Sequence, residues 1–398
     1  MIHLITNAKI YALCGVDMLD INPRFYEVCG VDVIENGYVA WEDGKIVSVG
    51  PMAHMPAYPG AAVHDCPGYS VTPGFVDAHC HIGMWEDSLG FEGDDGNEST
   101  DPITPQLRAL DAVNPQDRCF AEALAAGVTT VVTGPGSANP IAGQFLAMKT
   151  YGKRIDDMVI RQPCAMKMAL GENPKLVYGK KGKAPQTRMN TAALIRETLY
   201  AAQEYGKKRE KGDGEFNLKY ESLLPVLSGE LPVKFHAHRA DDICTAMRLA
   251  REFGLRYSIE HATGALEILD ILKEEKISIN CGPCLTDRSK PELKDLSFAT
   301  PAALLRAGLP VATITDHPVT PEQYLPLCAS LLLRHGVDEV TALKTITLYA
   351  ARNCGLEANV GCIAPGMDAD LAVFSHSPLS LAASPVAMVA GGAYIAQK

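Results

Sequence analysis

Through the middle of the chain, short apolar runs alternate with stretches of helical periodicity, the pattern of a parallel sheet with crossover helices. The runs predict strands ending near His79, Thr133, Lys149, Leu170, His236, His261, Cys281 and Asp316, the third of them centred on Phe145-Leu-Ala-Met148. The intervals from His236 to His261, on to Cys281 and on to Asp316 suit successive βα repeats. Eight such units close into a barrel of about 250 residues. Two helices, over 191–211 and 219–228, are expected as an insertion between the fourth and fifth strands. Residues 84–118, rich in Asp, Glu, Gly and Pro, are expected as a long loop after the first strand. Such a loop would overhang the end of the barrel where this kind of fold places its catalysts.

The two ends of the chain have a different texture. Asn36-Gly37, Asp43-Gly44 and Pro67-Gly68 are turn signals between short alternating runs such as Tyr38-Val-Ala-Trp41 and Lys45-Ile-Val-Ser-Val49. Similar runs return at Leu371-Ala-Val-Phe374 and Val386-Ala-Met-Val-Ala390, the latter running into Gly391-Gly392. The expected architecture is an α/β chain in which a (β/α)8 TIM-type barrel over 71–356 carries one small β-sandwich. That sandwich is built from both termini, residues 1–70 and 357–398.

Composition sets limits on this picture. At 398 residues the chain exceeds a typical single core, which suits one large domain and a smaller one. Hydrophobic residues at 47% and charged residues at 21% are ordinary for a soluble protein. A net charge of -11 repels phosphate backbones and anionic bilayers, so neither nucleic acid nor a membrane is an expected partner. The basic clusters Lys180-Lys181-Gly182-Lys183 and Lys207-Lys208-Arg209 read as solvated helix ends or loops. The opening MIHLITNAKIYAL lacks the basic-then-apolar order of a secretion signal, and no apolar run approaches the roughly 18 residues of a membrane span. Twelve cysteines without a repeating spacing fit a reduced, cytoplasmic protein. Cys281-Gly-Pro-Cys284 has no second CxxC and reads as incidental cysteines at a barrel strand. Self-association into a homo-oligomer is left open.

The stretch that carries chemistry is Val71–Gly83, VTPGFVDAHCHIG. Residues i and i+2 of a strand share a face, so His79 and His81 can present two imidazoles to one ion while Cys80 points away. Four further polar residues fall at predicted strand ends. His236 closes Leu231-Pro-Val-Lys-Phe235, His261 closes Arg256-Tyr-Ser-Ile-Glu260, Asp316 closes Val311-Ala-Thr-Ile-Thr315, and Glu172 follows Ala165–Leu170. One strand-terminal Asp or His is usually a cap. Several in barrel register after an HxH point to a metal centre.

The motifs PGFVDAHCH (73–81), GVTTVVTG (127–134), VKFHAH (233–238), SIEHA (258–262), ITDHP (314–318) and GCIAPGMDADLAVF (361–374) carry a resemblance that covers nearly the whole chain. It resembles the amidohydrolase superfamily, in particular its imidazolonepropionase-like and prolidase-like branches. The resemblance implies that His79 and His81 bind metal, that His236 and His261 bind metal or substrate, and that Asp316 is both ligand and general base. For the fourth strand it leaves two ligands open. Lys167 in AMKMALG stands where binuclear relatives keep a carboxylated lysine, while Glu172 in GENPK suits relatives that use a glutamate. Their opposite strand parity argues against both facing one ion, and the reading leans to Glu172.

The implied cofactor is one or two divalent ions. Nitrogen and oxygen ligands favour zinc, with manganese and iron as alternatives. Such an ion lowers the pKa of bound water from 15.7 to about 7. Asp316 would take the water's proton and deliver it to a leaving nitrogen, with His261 helping to polarise the scissile carbonyl. His238, Arg239, Tyr178, Gln144 and Asn139 are candidate contacts for a small-molecule substrate, as is the polar segment Thr286–Ser289. The expected activity is hydrolysis of a C–N bond in a cyclic amide, an N-acyl amino acid or a dipeptide. Competing readings are a deaminase, a glutamate-type deacetylase and a non-catalytic scaffold. HAHRADD offers only Asp241 and Asp242 where deaminases keep a proton-shuttling glutamate, and scaffold homologues usually lose ligands that this chain retains. The acidic loop Glu92–Glu98 departs from the imidazolonepropionase pattern.

Overall fold

The computed structural model describes residues 1–15 and 31–397. Among the described residues, sixteen strands fall into two eight-stranded sheets. The first takes β1 (His3–Tyr11), β2 (Val33–Glu42), β3 (Lys45–Pro51), β4 (Ala62–Asp65) and β5 (Ser70–Pro73) from the N-terminal end. The second takes β6 (Phe75–Cys80), β7 (Val128–Thr133), β8 (Ile141–Lys149), β9 (Val159–Ala169), β10 (Val233–Ala237), β11 (Tyr257–His261), β12 (Ser278–Cys281) and β13 (Val311–Thr313), in that spatial order. The chain then returns to the first sheet through β14 (Leu371–Phe374), β15 (Pro385–Ala390) and β16 (Ala393–Ala396).

The second sheet is a nearly closed barrel. Its strands are buried on both faces, as the β-branched run Val128–Thr133 shows with all six residues buried. Closure between β13 and β6 comes from backbone bonds just beyond the strand ends: Asp316 N–H donates to His79 O (3.1 Å) and His81 N–H to His317 O (2.9 Å). These bonds tie the two candidate ligand segments directly together.

The all-parallel (β/α)8 expectation needs correction at one strand. β8 runs antiparallel to both β7 and β9, while the other neighbours pair in parallel. Parallel neighbours need a crossover of a dozen or more residues. Only residues 134–140 separate β7 from β8, so the chain turns back instead. The insertion between β9 and β10 also differs in detail. Its long helix spans Arg188–Glu210, capped by the Thr187 hydroxyl accepting from Asn190 N–H (3.1 Å). The expected helix over 219–228 is two single turns, Leu218–Glu221 and Leu224–Leu227, with Pro225 lacking the N–H that a continuous helix would use.

In the terminal sheet β5 lies between β1 and β14, so both ends of the chain flank the strand that enters the barrel. Gly74 is the hinge between the sheets. A Cβ there would lie 2.0 Å from Thr129 Oγ1, and its N–H donates to Asp370 O (2.7 Å). Lys149, at the end of β8, reaches across to Asp370 Oδ2 (2.6 Å) and Asp368 Oδ2 (2.7 Å), while Tyr151 donates to Asp370 Oδ1 (2.9 Å). Phe75, Met148, Ala372, Phe374 and Met388 share one apolar cluster across the junction. Among the described residues no helix is long and apolar enough to cross a membrane.

Candidate metal centre

Two groups of metal-competent side chains gather at one end of the barrel: His79, His81 and Asp316, and His236, His238 and His261, with the ligand atoms of each group within 4.8 Å of one another. Asp316 Oδ1 lies 3.1 Å from His81 Nε2 and 3.4 Å from His79 Nε2. The His79 and His261 rings meet edge-on at 5.4 Å between centroids, which makes the two groups neighbours. Backbone carbonyls set the imidazoles. His81 Nδ1 lies 2.6 Å from Gly134 O and His261 Nδ1 lies 2.8 Å from Gly282 O, so both donate there and turn Nε2 towards the cluster. His261 Nε2 is buried with no hydrogen-bond partner, a lone pair free for a cation.

The backbone is strained where the groups meet. His261 has φ +78° and Asp316 φ +52°, in the left-handed region that L-residues rarely occupy. For His261 this turn has a use. Strand alternation would send its ring to the face opposite Glu260; the reversed φ brings it back over the barrel end.

The electrostatics suit a cation. Burial pushes the imidazoles of His79, His236, His238 and His261 below their usual range, so they are neutral donors. Asp316 Oδ1, within 3.4 Å of Nε2 of both His79 and His81, adds a carboxylate to these imidazoles. Burial lowers the Lys167 ammonium to about 8, against the pull of Asp316 and Glu260. The donor set therefore fits a divalent ion, two nitrogens and an oxygen from the first group and three nitrogens from the second.

Lys167, not Glu172, stands in this cluster. Lys167 is fully buried with Nζ 3.1 Å from His79 Nε2. Glu172 instead opens the helix Glu172–Gly179 and lines a separate cleft with Lys175, Arg188 and Arg239. The parity argument fails for it because β9 ends at Ala169, so strand alternation no longer governs residue 172. His238 lies in the second group with Nδ1 2.8 Å from Thr263 Oγ1.

Tyr178, Gln144, Asn139 and Arg239 make their contacts elsewhere. Tyr178 is buried and its hydroxyl faces Asp101 O (2.8 Å) and Glu98 O (3.1 Å) of the long loop. Gln144 Nε2 donates to Pro105 O (3.3 Å) and Asn139 Nδ2 to Asp101 O (2.8 Å), so these too hold that loop. Arg239 is paired at the surface with Asp241 (2.8 Å). Asp242 is buried and bound by Arg188 Nε at 2.9 and 3.0 Å.

A cleft of about 360 Å³ opens onto the centre, walled by His81, His236, His238, Asp316, Trp85 and Lys290 among others. Thr286 and Ser289 of the polar segment after β12 also line it. Sequence reasoning missed three groups here. Lys290 Nζ contacts Asn173 Oδ1 (3.0 Å) and Glu292 Oε1 (2.7 Å). Glu292 Oε1 in turn lies 3.7 Å from Nε2 of both His236 and His238. Glu260, fully buried, has Oε2 3.1 Å from His79 Nδ1. Glu260 could have been found: it shares a strand face with Ser258, and β10 places Lys234 and His236 alongside in register.

Comparison with known proteins runs the length of this framework. The family model described as the amidohydrolase family matches residues 70–393. A crystal structure of an amidohydrolase from Thermotoga maritima MSB8 is 39% identical, covers 99% of this chain and 100% of its own, and superposes with a TM-score of 0.91. Amidohydrolase tasK of Hapsidospora irregularis is 28% identical over 89% of this chain, which spans only 38% of that protein's length. The imidazolonepropionase of Paracoccus denitrificans (strain Pd 1222) is 28% identical over 86% of this chain and 88% of its own. By the extent of the family match and the 39% identity over full length, the chain belongs to the amidohydrolase family.

Proposed function

We propose that this chain is a metal-dependent hydrolase that cleaves a C–N bond in a small cyclic amide, N-acyl amino acid or dipeptide, with Asp316 as the proton-transferring base. The observation that carries the reading is the meeting of His79, His81 and Asp316 with His236, His238 and His261 at one barrel end. His79, His81, His236, His261 and Asp316 would hold the ion or ions, with Lys167 as the fourth-strand residue. Zinc is the first choice for such donors. A divalent ion held here supplies Lewis acidity to a carbonyl and lets water ionise near neutral pH.

The protein's own groups do the rest. Asp316 Oδ accepts a proton from the attacking water and returns it to the leaving nitrogen. Its Oδ1, 3.1 Å from His81 Nε2 and 3.4 Å from His79 Nε2, stands beside the atoms that would hold the ion and its water. The buried Lys167, lowered to about 8, carries more neutral amine than an exposed lysine, the form that can add carbon dioxide to become the carboxylated ligand of the resemblance. Lys290, the lysine or arginine among the cleft's lining residues, would meet a substrate carboxylate by sharing its ammonium with Glu292 (2.7 Å). Trp85, edge-on to His81 at 5.1 Å, walls the cleft with an apolar face. We read the barrel as a (β/α)8 fold with β8 reversed, over 71–356, and the terminal sheet (1–70 and 357–398) as a small β-sandwich. The reading also places the enzyme in the cytoplasm.

The test is elemental analysis per chain for wild type, Lys167→Ala and Glu172→Gln. One to two equivalents of zinc, manganese or iron in wild type, reduced by Lys167→Ala and unchanged by Glu172→Gln, supports the assignment. A folded wild type that contains no metal and takes up none on addition refutes it and leaves the scaffold reading.

A further inference from the structure

Below His79, inside the barrel and out of the cleft, four polar side chains close on one another. Lys234 of β10, Ser258 and Glu260 of β11 and Asn280 of β12 are all buried, Glu260 and Asn280 completely. Lys234 Nζ lies 3.3 Å from both Glu260 oxygens, and Asn280 Nδ2 donates to the same two at 3.1 and 3.0 Å. The Ser258 hydroxyl donates to Glu260 Oε1, while Lys234 also donates to Ala78 O (2.9 Å), the residue before His79. Asn353 Nδ2 fixes Asn280 through Oδ1 (3.0 Å). Glu260 is thus held from three sides, and its Oε2 lies 3.1 Å from His79 Nδ1, a buried nitrogen that makes no other hydrogen bond.

Placing an ion pair in a barrel core is costly, and apolar residues of similar volume fill such space at least as well. The geometry explains why this one is present. We propose that Glu260 is a positioning residue: it keeps the His79 proton on Nδ1 and its ring oriented, so that Nε2 is the atom offered to the metal. Lys234 is its counter-ion, anchoring it to the strand that carries His79. A carboxylate on the far nitrogen of a ligating imidazole raises ligand basicity and typically accounts for 10–100-fold in metal affinity. The inference rests on the metal-centre reading above.

Zn(II) affinity of metal-stripped protein, measured by competition with a chromophoric chelator, tests it. Because Glu260→Gln alone leaves Lys234 buried and unpaired, the deciding variant is Lys234→Met with Glu260→Gln. We expect its melting temperature without metal to recover relative to Glu260→Gln alone, with Zn(II) bound about 10–100-fold more weakly than by wild type. A folded double variant that binds Zn(II) within twofold of wild type overturns the proposal and leaves the four residues as core packing only. Nitrogen-15 imidazole spectra of Zn(II)-loaded wild type give a readout without substitution: His79 should be protonated on Nδ1, and protonation on Nε2 overturns the proposal. Failure of wild type itself to bind Zn(II) would instead sink the metal-centre reading on which this one stands.

Discussion

Tyr178→Phe separates two roles that one residue could have. As a substrate contact, Tyr178 would matter to KM; as the structure has it, its hydroxyl holds the long loop through Asp101 O and Glu98 O. The substitution keeps the buried ring and removes one hydroxyl, so packing is preserved and one neutral hydrogen bond is lost. Such a bond contributes about 1 kcal/mol net, and more only where a partner is left buried and unpaired. Here Asp101 O keeps the Asn139 amide at 2.8 Å, so no such surcharge arises. Other anchors remain: Lys219 Nζ on Ile103 O (2.9 Å), Gln144 N–H on Leu107 O (2.8 Å) and Thr104 N–H on Ile141 O (2.8 Å). The loss is therefore local, a loop that opens about fivefold more often, from about 1 kcal/mol at 1.4 kcal/mol per decade. Hydrogen–deuterium exchange over residues 94–108 should quicken by that factor while the barrel strands do not change. KM should stay within about twofold of wild type. Unchanged exchange in the loop with a tenfold rise in KM would refute the anchoring argument and return Tyr178 to the substrate.

Other expectations follow from the same contacts. Asp316→Asn should keep most of the bound metal and lose about 10²–10⁴ in turnover, the usual contribution of a positioned base; near-full activity would remove it from that role. Lys149→Met leaves the buried Asp370 without its cation while Asp368 keeps Lys45 (2.6 Å), and should cost about 3–5 kcal/mol in urea denaturation. The double variant with Asp370→Asn should recover part of that loss, and a single-variant loss under about 1 kcal/mol would contradict the pairing. The same pair sets an acid limb. Burial raises the Asp368 carboxyl, but Lys149 and Lys45 hold it below its usual range. Its contribution is complete above the unfolded value of about 3.9 and is lost as pH falls through the lower folded value. Lys149→Met should therefore lessen the drop in stability between pH 5 and pH 3, measured by denaturant midpoints. Arg239→Ala, at an exposed ion pair, should change stability by less than about 0.5 kcal/mol and leave KM unaffected.

The positions of the barrel strands were legible because short apolar runs and their terminal polar residues mark strand ends even without three-dimensional information. The direction of β8 was not. Nothing in Ile141–Lys149 distinguishes a parallel from an antiparallel strand, and only the short connection of residues 134–140 carries the information. Within the site, alternation could pair His79, on β6, with His81, one residue past its end. Residues where regular strand geometry is lost could not be given a face. Glu172 begins a helix, and His261 and Asp316 reach the centre through left-handed backbone that alternation does not describe. Tyr178, Gln144 and Asn139 show a further limit. A polar side chain near a barrel mouth is equally suited to a ligand or to the carbonyls of a covering loop, and sequence alone does not say which of the two it meets. Lys290 and Glu292 come from the loop after β12 and the single 3-10 turn Pro291–Leu293, too short to show a period.

The pairing of β5 bears on how this protein is made. Residues 70–73 have β1 on one side and β14 on the other, and Gly74 alone separates them from the strand that carries His79. β14 lies near the other end of the sequence. At about 5–20 residues per second, ribosomal synthesis takes on the order of tens of seconds to travel from one partner to the other. Through that interval the segment leading into the histidine pair has an open edge, and Gly74 lacks the Asp370 carbonyl that receives its N–H in the finished protein. β13, which brings Asp316 beside His79, also emerges late. The metal centre is therefore among the last parts of the nascent chain to be completed, and premature truncation anywhere before β14 leaves both the seam of the terminal sheet and the footing of the first histidine strand unfinished.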